Sequence, residues 1–125
     1  MGDFNDEPTN MSLHTLLQAN NKRKNASSRD LYNLFYDQHN NGDVGTYQYK
    51  GNWNMLDQII VSQAVLRGPG YHTNYDGGKI KKEDFMLYEN TKAGTWSPNK
   101  TYGGDSYYGG ISDHLPIYVR LSLKD

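Results

Sequence analysis

Ser112-Asp113-His114-Leu115-Pro116-Ile117-Tyr118-Val119-Arg120-Leu121 is the stretch whose reading decides the fold. From Leu115 onward the apolar side falls on odd positions, the period of a β-strand with one covered face. Pro116 stands near the start of that strand, where a missing N–H is tolerated. Asp113 and His114 lie at its entrance, after the flexible pair Gly109-Gly110, in a position to face a cleft. Taken alone, such a histidine is more commonly a solvated turn residue.

Working outward, Leu56-Asp57-Gln58-Ile59-Ile60-Val61 is a second strand, and from Ile59 both parities are apolar, so it is covered on both faces. Asp57 heads that strand. An unpaired carboxylate there would cost several kcal/mol of desolvation, so it sits at the wet end or beside a His or Arg. Tyr47 and Tyr49 alternate with Gln48 and Lys50 in a preceding strand. Pro8 leads into a helix carrying Leu13, Leu16 and Leu17 at i, i+3, i+4 and closed by Asn20, Asn21 and Lys22-Arg23-Lys24. A second helix is predicted over 29–37, with Leu31, Leu34 and Phe35 on one side and Ser27 and Asp30 in the pattern of a capping box. Residues 66–78 read as a loop, 80–88 as a weak strand, and 97–110 as a long loop rich in Gly, Tyr and Asn, of the kind that carries function.

Composition narrows the function. The 125 residues allow one domain, and a net charge of −1 removes the electrostatic case for a dedicated duplex-DNA binder. Eleven Leu, five Ile, four Val and three Phe, with a mean hydropathy of −0.90, make a thin core that eleven Tyr only partly fill. Without cysteine there is no disulfide, no thiolate nucleophile and no sulfur ligand. No run reaches the length of an apolar membrane span.

The chemistry emerges from a combination. If residue 3 ends one strand while Asp57 and His114 begin strands running the other way, antiparallel neighbours bring these ends together. Asp3, Asn5, Asp57, Asp113 and His114 then share one rim of a sheet. Such a set offers carboxylate oxygen to a divalent cation, an Asp–His pair, and groups to orient water.

At these residues the sequence resembles the endonuclease/exonuclease/phosphatase superfamily, of deoxyribonuclease-I-like fold. Gly2-Asp3-Phe4-Asn5-Asp6-Glu7-Pro8 looks like its G-D-F-N motif, Trp53-Asn54-Met55-Leu56-Asp57-Gln58-Ile59 resembles its Asp-containing strand motif, and Ser112-Asp113-His114-Leu115-Pro116-Ile117 is similar to its terminal S-D-H-x-P motif. The three occur in the family's order between residues 2 and 117. The resemblance implies an α/β fold: one mostly antiparallel sheet with helices on one face, half of a two-sheet α/β sandwich. It further implies hydrolysis of a phosphodiester or phosphomonoester by in-line attack of water, with Mg²⁺ or Mn²⁺ as cofactor. Asp3 would position and help deprotonate the water, and Asn5 would hold the nucleophile or a phosphate oxygen. Asp57 would orient His114, which would bind the scissile phosphate and assist proton transfer. Asp113, with Asp3, would contact the metal. Independently of the resemblance, Trp53 offers a ring for stacking on a base or sugar of the substrate, against the commoner reading of such a residue as sheet-face filling.

The family's N-terminal half, which supplies an Asn and the main metal-binding Glu, has no counterpart in residues 1–125, so the chain is read as the C-terminal half of the domain. An isolated half of this kind is expected to turn over negligibly, to bind metal weakly, and to hide an exposed sheet face by self-association or by pairing with the other half. Gln58 departs from the His or aromatic residue frequent in relatives. The competing reading is a non-catalytic glycan- or protein-binding module derived from the same fold. Substrate is a phosphorylated molecule whose nucleic-acid, lipid or sugar nature the motifs do not choose.

Overall fold

A computed structural model describes residues 1–124. Antiparallel ladders dominate, but they are short: the described residues form six two-stranded pairs and one three-stranded sheet, rather than one continuous sheet. In the three-stranded sheet Leu31–Asn33 lies between Ala19–Asn20, its parallel neighbour, and Ile60–Ser62, its antiparallel one. Ile117–Val119 pairs with Gly78–Ile80, and further along the same segment Ser122–Lys124 pairs with Gly70–His72. Gly2–Asp3 runs antiparallel to Asp57–Gln58.

Helical structure is sparse. The apolar trio Leu13, Leu16 and Leu17 produces only a five-residue π-helical turn, Ser12–Leu16, and the chain is already extended at Ala19–Asn20. Only Leu13 of the trio is buried, so most of the stripe has nothing to pack on and the helix does not propagate. The helix predicted over 29–37 is also displaced: Leu31–Asn33 is a strand and the helix occupies Tyr36–Asn40. The reason lies in burial. Tyr32, Asn33, Leu34, Phe35 and Tyr36 are consecutive and all buried, which suits a covered strand and tight turn rather than one helical face. A short helix at Gln63–Arg67 and the strand Gly70–His72 replace part of the predicted 66–78 loop. The 97–110 region opens with the end of the strand Thr95–Pro98, then folds Tyr102–Gly103 against Ser106–Tyr107. Gly104 takes a φ of 59° in that hairpin's two-residue turn, a backbone conformation that turns of this length require.

The core joins Tyr32, Leu34, Phe35, Met55 and Ile59, with Val61, Leu66, Ile80, Ile117 and Val119 packed against them. Gly78 lies close under it: a Cβ there would stand 2.9 Å from Leu34 Cβ and from Phe35 Cε2.

Inside the core, the fully buried Gln58 ties three segments together. Its amide donates to the Asp6 carbonyl (2.6 Å) and the Met55 carbonyl (2.9 Å), and its oxygen accepts from Asn33 Nδ2 (2.5 Å). A histidine or aromatic side chain could not make all three bonds, so the amide suits this packing. Replacing Gln58 with Leu strands a buried donor and two carbonyls, each costing on the order of 1–3 kcal/mol. Gln58→Leu is therefore expected to lower unfolding free energy by at least about 2 kcal/mol in urea denaturation.

Candidate functional site

Asp57 is directed by two neighbours. Across the ladder it faces Asp3 directly, and directly opposed residues of an antiparallel pair project to the same face. The pairing continues where Phe4 N–H donates to the Leu56 carbonyl at 2.9 Å. On the other side Asp57 N–H donates to Thr46 Oγ at 3.1 Å.

Thr46 is fully buried, and its backbone carries the next link: Leu115 N–H donates to the Thr46 carbonyl at 2.7 Å. One threonine thus sets the segment that begins at Asp57 beside the segment that begins at His114. The result is a contact of 2.6 Å between His114 Nδ1 and Asp57 Oδ2, with side chains 25% and 17% exposed. Partial burial keeps this pair from full solvent screening while leaving an approach to the ring. The Tyr47 ring lies against the imidazole, centroids 4.9 Å apart at 32°, and Tyr47 forms a β-bridge with His114. Ser112 Oγ accepts the His114 N–H at 3.1 Å, so the serine of S-D-H shapes the turn.

At the other end, Asn5 N–H donates to Asp3 Oδ1 at 2.8 Å while Asn5 adopts a φ of 51°, a left-handed conformation that asparagine accepts readily. The Asn5 backbone therefore steadies one Asp3 oxygen, and both residues are exposed. Asp6 turns away, accepting from Ser12 Oγ at 2.5 Å.

Asp3, Asn5, Asp57 and His114 are thus linked through one continuous set of contacts. Asp113 and Trp53 form no side-chain hydrogen bond with this set among the described residues. Exposed Asp113 lines a neighbouring recess of about 250 Å³ with Tyr47, Gln48, Lys100 and Tyr102. Trp53, opposite Gln48 in the Tyr47–Tyr49/Asn52–Asn54 hairpin, has its ring 4.9 Å from Lys82 Nζ and lines another recess. A hard divalent cation takes six or more oxygen ligands. Among the described residues no three His, Asp or Glu side chains form a group able to hold one, so these side chains alone do not complete a cation site.

Neither Thr46 nor Tyr47 stands out as a site residue in the sequence, where Tyr47 reads only as part of a strand. The one signal was Gly45: a Cβ there would come within 2.5 Å of the Asn54 carbonyl oxygen, so the glycine marks a close backbone approach just before Thr46.

Residues 1–123 match the sequence profile of the Endonuclease/Exonuclease/phosphatase family, and the chain belongs to that family. Its fold is accordingly of the DNase-I-like α/β kind, and its members are generally hydrolases of phosphate esters that commonly use divalent metals. Neither the curated proteins nor the solved structures give a match.

An imidazole Nδ1 held 2.6 Å from a carboxylate carries its proton there, leaving Nε2 as the free face. In ¹⁵N spectra above the imidazole's titration range, His114 is expected as the Nδ1–H tautomer. Asp57→Ala should return it to the mixed population of a free imidazole, with Nε2–H predominant. An unchanged spectrum in that variant would show that the carboxylate does not set the tautomer.

Proposed function

We propose that this family member is a phosphoesterase in which water attacks phosphorus in line, with Asp57 and His114 working as a pair. The observation that carries the reading is the 2.6 Å Asp57–His114 contact on a sheet rim to which Asp3 also projects. In this reading Asp57 fixes the ring and stabilises the charged imidazole, whose Nε2–H donates to a phosphoryl oxygen and passes its proton to the oxygen that leaves as its bond to phosphorus breaks. Asp3, steadied by the Asn5 N–H, orients the water and takes its proton, and the Asn5 side chain holds the nucleophile or a phosphoryl oxygen. Asp113 belongs to the metal side of the centre with Asp3, and Trp53 to the substrate side. Mg²⁺ or Mn²⁺, the cofactor of this reading, needs oxygen ligands beyond those the described side chains gather. The roles of Asp57 and His114 stand without it.

In the protein carrying these residues, Asp3→Ala and His114→Ala are each expected to lower hydrolysis of bis(p-nitrophenyl) phosphate by about 10²–10⁴-fold, the usual weight of a positioned acid or base. Matching far-UV circular dichroism would exclude unfolding. Rates within threefold of wild type in both variants would reject the assignment.

We also assign the chain the role of the C-terminal half of the domain, its centre completed by the other half. Tyr71 and Leu123 support this: they are paired across a ladder and both largely exposed, with exposed Leu121 nearby. The isolated chain is therefore expected to self-associate in sedimentation velocity, and Tyr71→Lys/Leu123→Lys to shift it toward monomer. A folded wild-type monomer at micromolar concentration would contradict this.

A further inference from the structure

The segment from Ile117 to Lys124 meets one continuous stretch of chain in two instalments. Val119 is opposite Gly78 and Ser122 is opposite His72, so only Arg120 and Leu121 face the five residues Thr73 to Gly77. The five-against-two mismatch is an enlarged β-bulge, and bulges open a ladder and re-aim its side chains.

Here the opening is a recess of about 280 Å³, lined by His72, Lys79 and Arg120, with Thr73, Asn74 and Ser122 among the polar neighbours. Lys79 and Tyr118 are cross-strand partners, as are His72 and Ser122, so both ladders deliver side chains to one mouth.

The bulge sorts its own residues. Tyr75 packs against the core edge-on to Tyr32, its hydroxyl accepting from Arg67 Nε at 2.7 Å. Asp76 is drawn off by Arg23, 3.1 Å away. Thr73, Asn74 and Gly77 are left to the recess, and Gly77 has no room for a side chain because its Cβ would meet Thr73 Oγ and the Asn74 carbonyl. No carboxylate lines the recess, and neither Lys79 nor Arg120 forms a salt bridge among the described residues. Two cations without an ion-pair partner among the described residues, an imidazole, an amide and hydroxyls around an open recess make a donor-rich, positive concavity. On a chain of net charge −1, that is a local concentration of the opposite sign.

We infer that this recess is an anion site that takes a phosphate group, with Arg120 as the forked donor and Lys79 as the point charge. Neither Asp57 nor His114 lines it, and it does not depend on the roles proposed for that pair. Free phosphate and a second phosphate of an extended substrate offer the same chemistry.

The test is a titration of the chain at constant ionic strength, followed by amide and histidine NMR, with inorganic phosphate and separately with a single-stranded hexanucleotide. Saturable shifts at residues 72–79 and 118–122 are expected. Lys79→Met/Arg120→Gln should weaken both titrations by at least about tenfold. His114→Ala should leave the phosphate shifts at the recess unchanged. Arg120→Lys, which keeps the charge and loses the fork, should fall between and serves if the double variant unfolds. A hexanucleotide bound much more tightly than phosphate identifies an extended substrate, and equal affinity identifies a free anion. Absence of saturable shifts in the recess, or a double variant that binds like wild type, overturns the proposal.

Discussion

Thr46 is the joint on which the candidate site depends. Its hydroxyl accepts the Asp57 N–H and its carbonyl accepts the Leu115 N–H, so a single residue fixes the spacing between two segments more than fifty positions apart. An Asp–His contact across that sequence distance loses a large loop entropy on forming, and the side-chain bond alone could not offset it. The backbone does so instead. Thr46 is held by its own N–H to the Asn54 carbonyl, inside a hairpin that Gly45 allows to close tightly. Gln58 performs the corresponding task on the other side, clamping Asp6 and Met55 so that the Asp3 and Asp57 strands stay in register.

The sequence disclosed some of this and concealed the rest for physical reasons. Period-two alternation from Ile117 onward was enough to find a strand, because Ile117 and Val119 are partly covered while Tyr118 is exposed; Tyr47–Tyr49 is a strand too, although Tyr49 lies open on the side it shares with Tyr47. The convergence of Asp3, Asp57 and His114 was legible only from three motifs taken together, since no one of them differs from an ordinary turn. Helical spacing is misleading in this chain. Leu31, Leu34 and Phe35 keep helical spacing, yet Asn33 between them accepts the Phe35 N–H with its own side chain, which bends the backbone into a turn. The recesses that Asp113 and Trp53 line could not be read either, because residues remote in the chain complete them, Lys100 and Tyr102 for the first and Lys82 for the second.

Charge shows a similar split between what is summed and what is local. Arg23 gathers Asp37, Asp76 and the Tyr75 ring around itself, and the hydrogen bonds it donates to Asp37 and Tyr32 push its guanidinium further toward the charged form. Burial alone would raise the Asp37 carboxyl, but hydrogen bonds from Asn21 and Arg23 outweigh it and hold that group below the usual carboxylate range. Its contribution to stability is thus present above the unfolded carboxylate pKa and fades as acid is added. Asp76, paired with Arg23, lines no part of the recess that holds Lys79 and Arg120, and neither of those cations forms a salt bridge among the described residues.

The five-against-two mismatch has one more consequence, for how the chain tolerates change in length. His72 and Lys79 have opposite parity in the sequence yet open onto the same hollow, because an odd number of residues loops out between Thr73 and Gly77. Losing one residue there leaves the chain two ways to adjust: contract the excursion, or slip by one position and turn Tyr71 inward in place of His72. Natural insertions and deletions at this point should therefore be accepted in pairs more readily than singly, although the segment lies at the surface, where length usually varies freely.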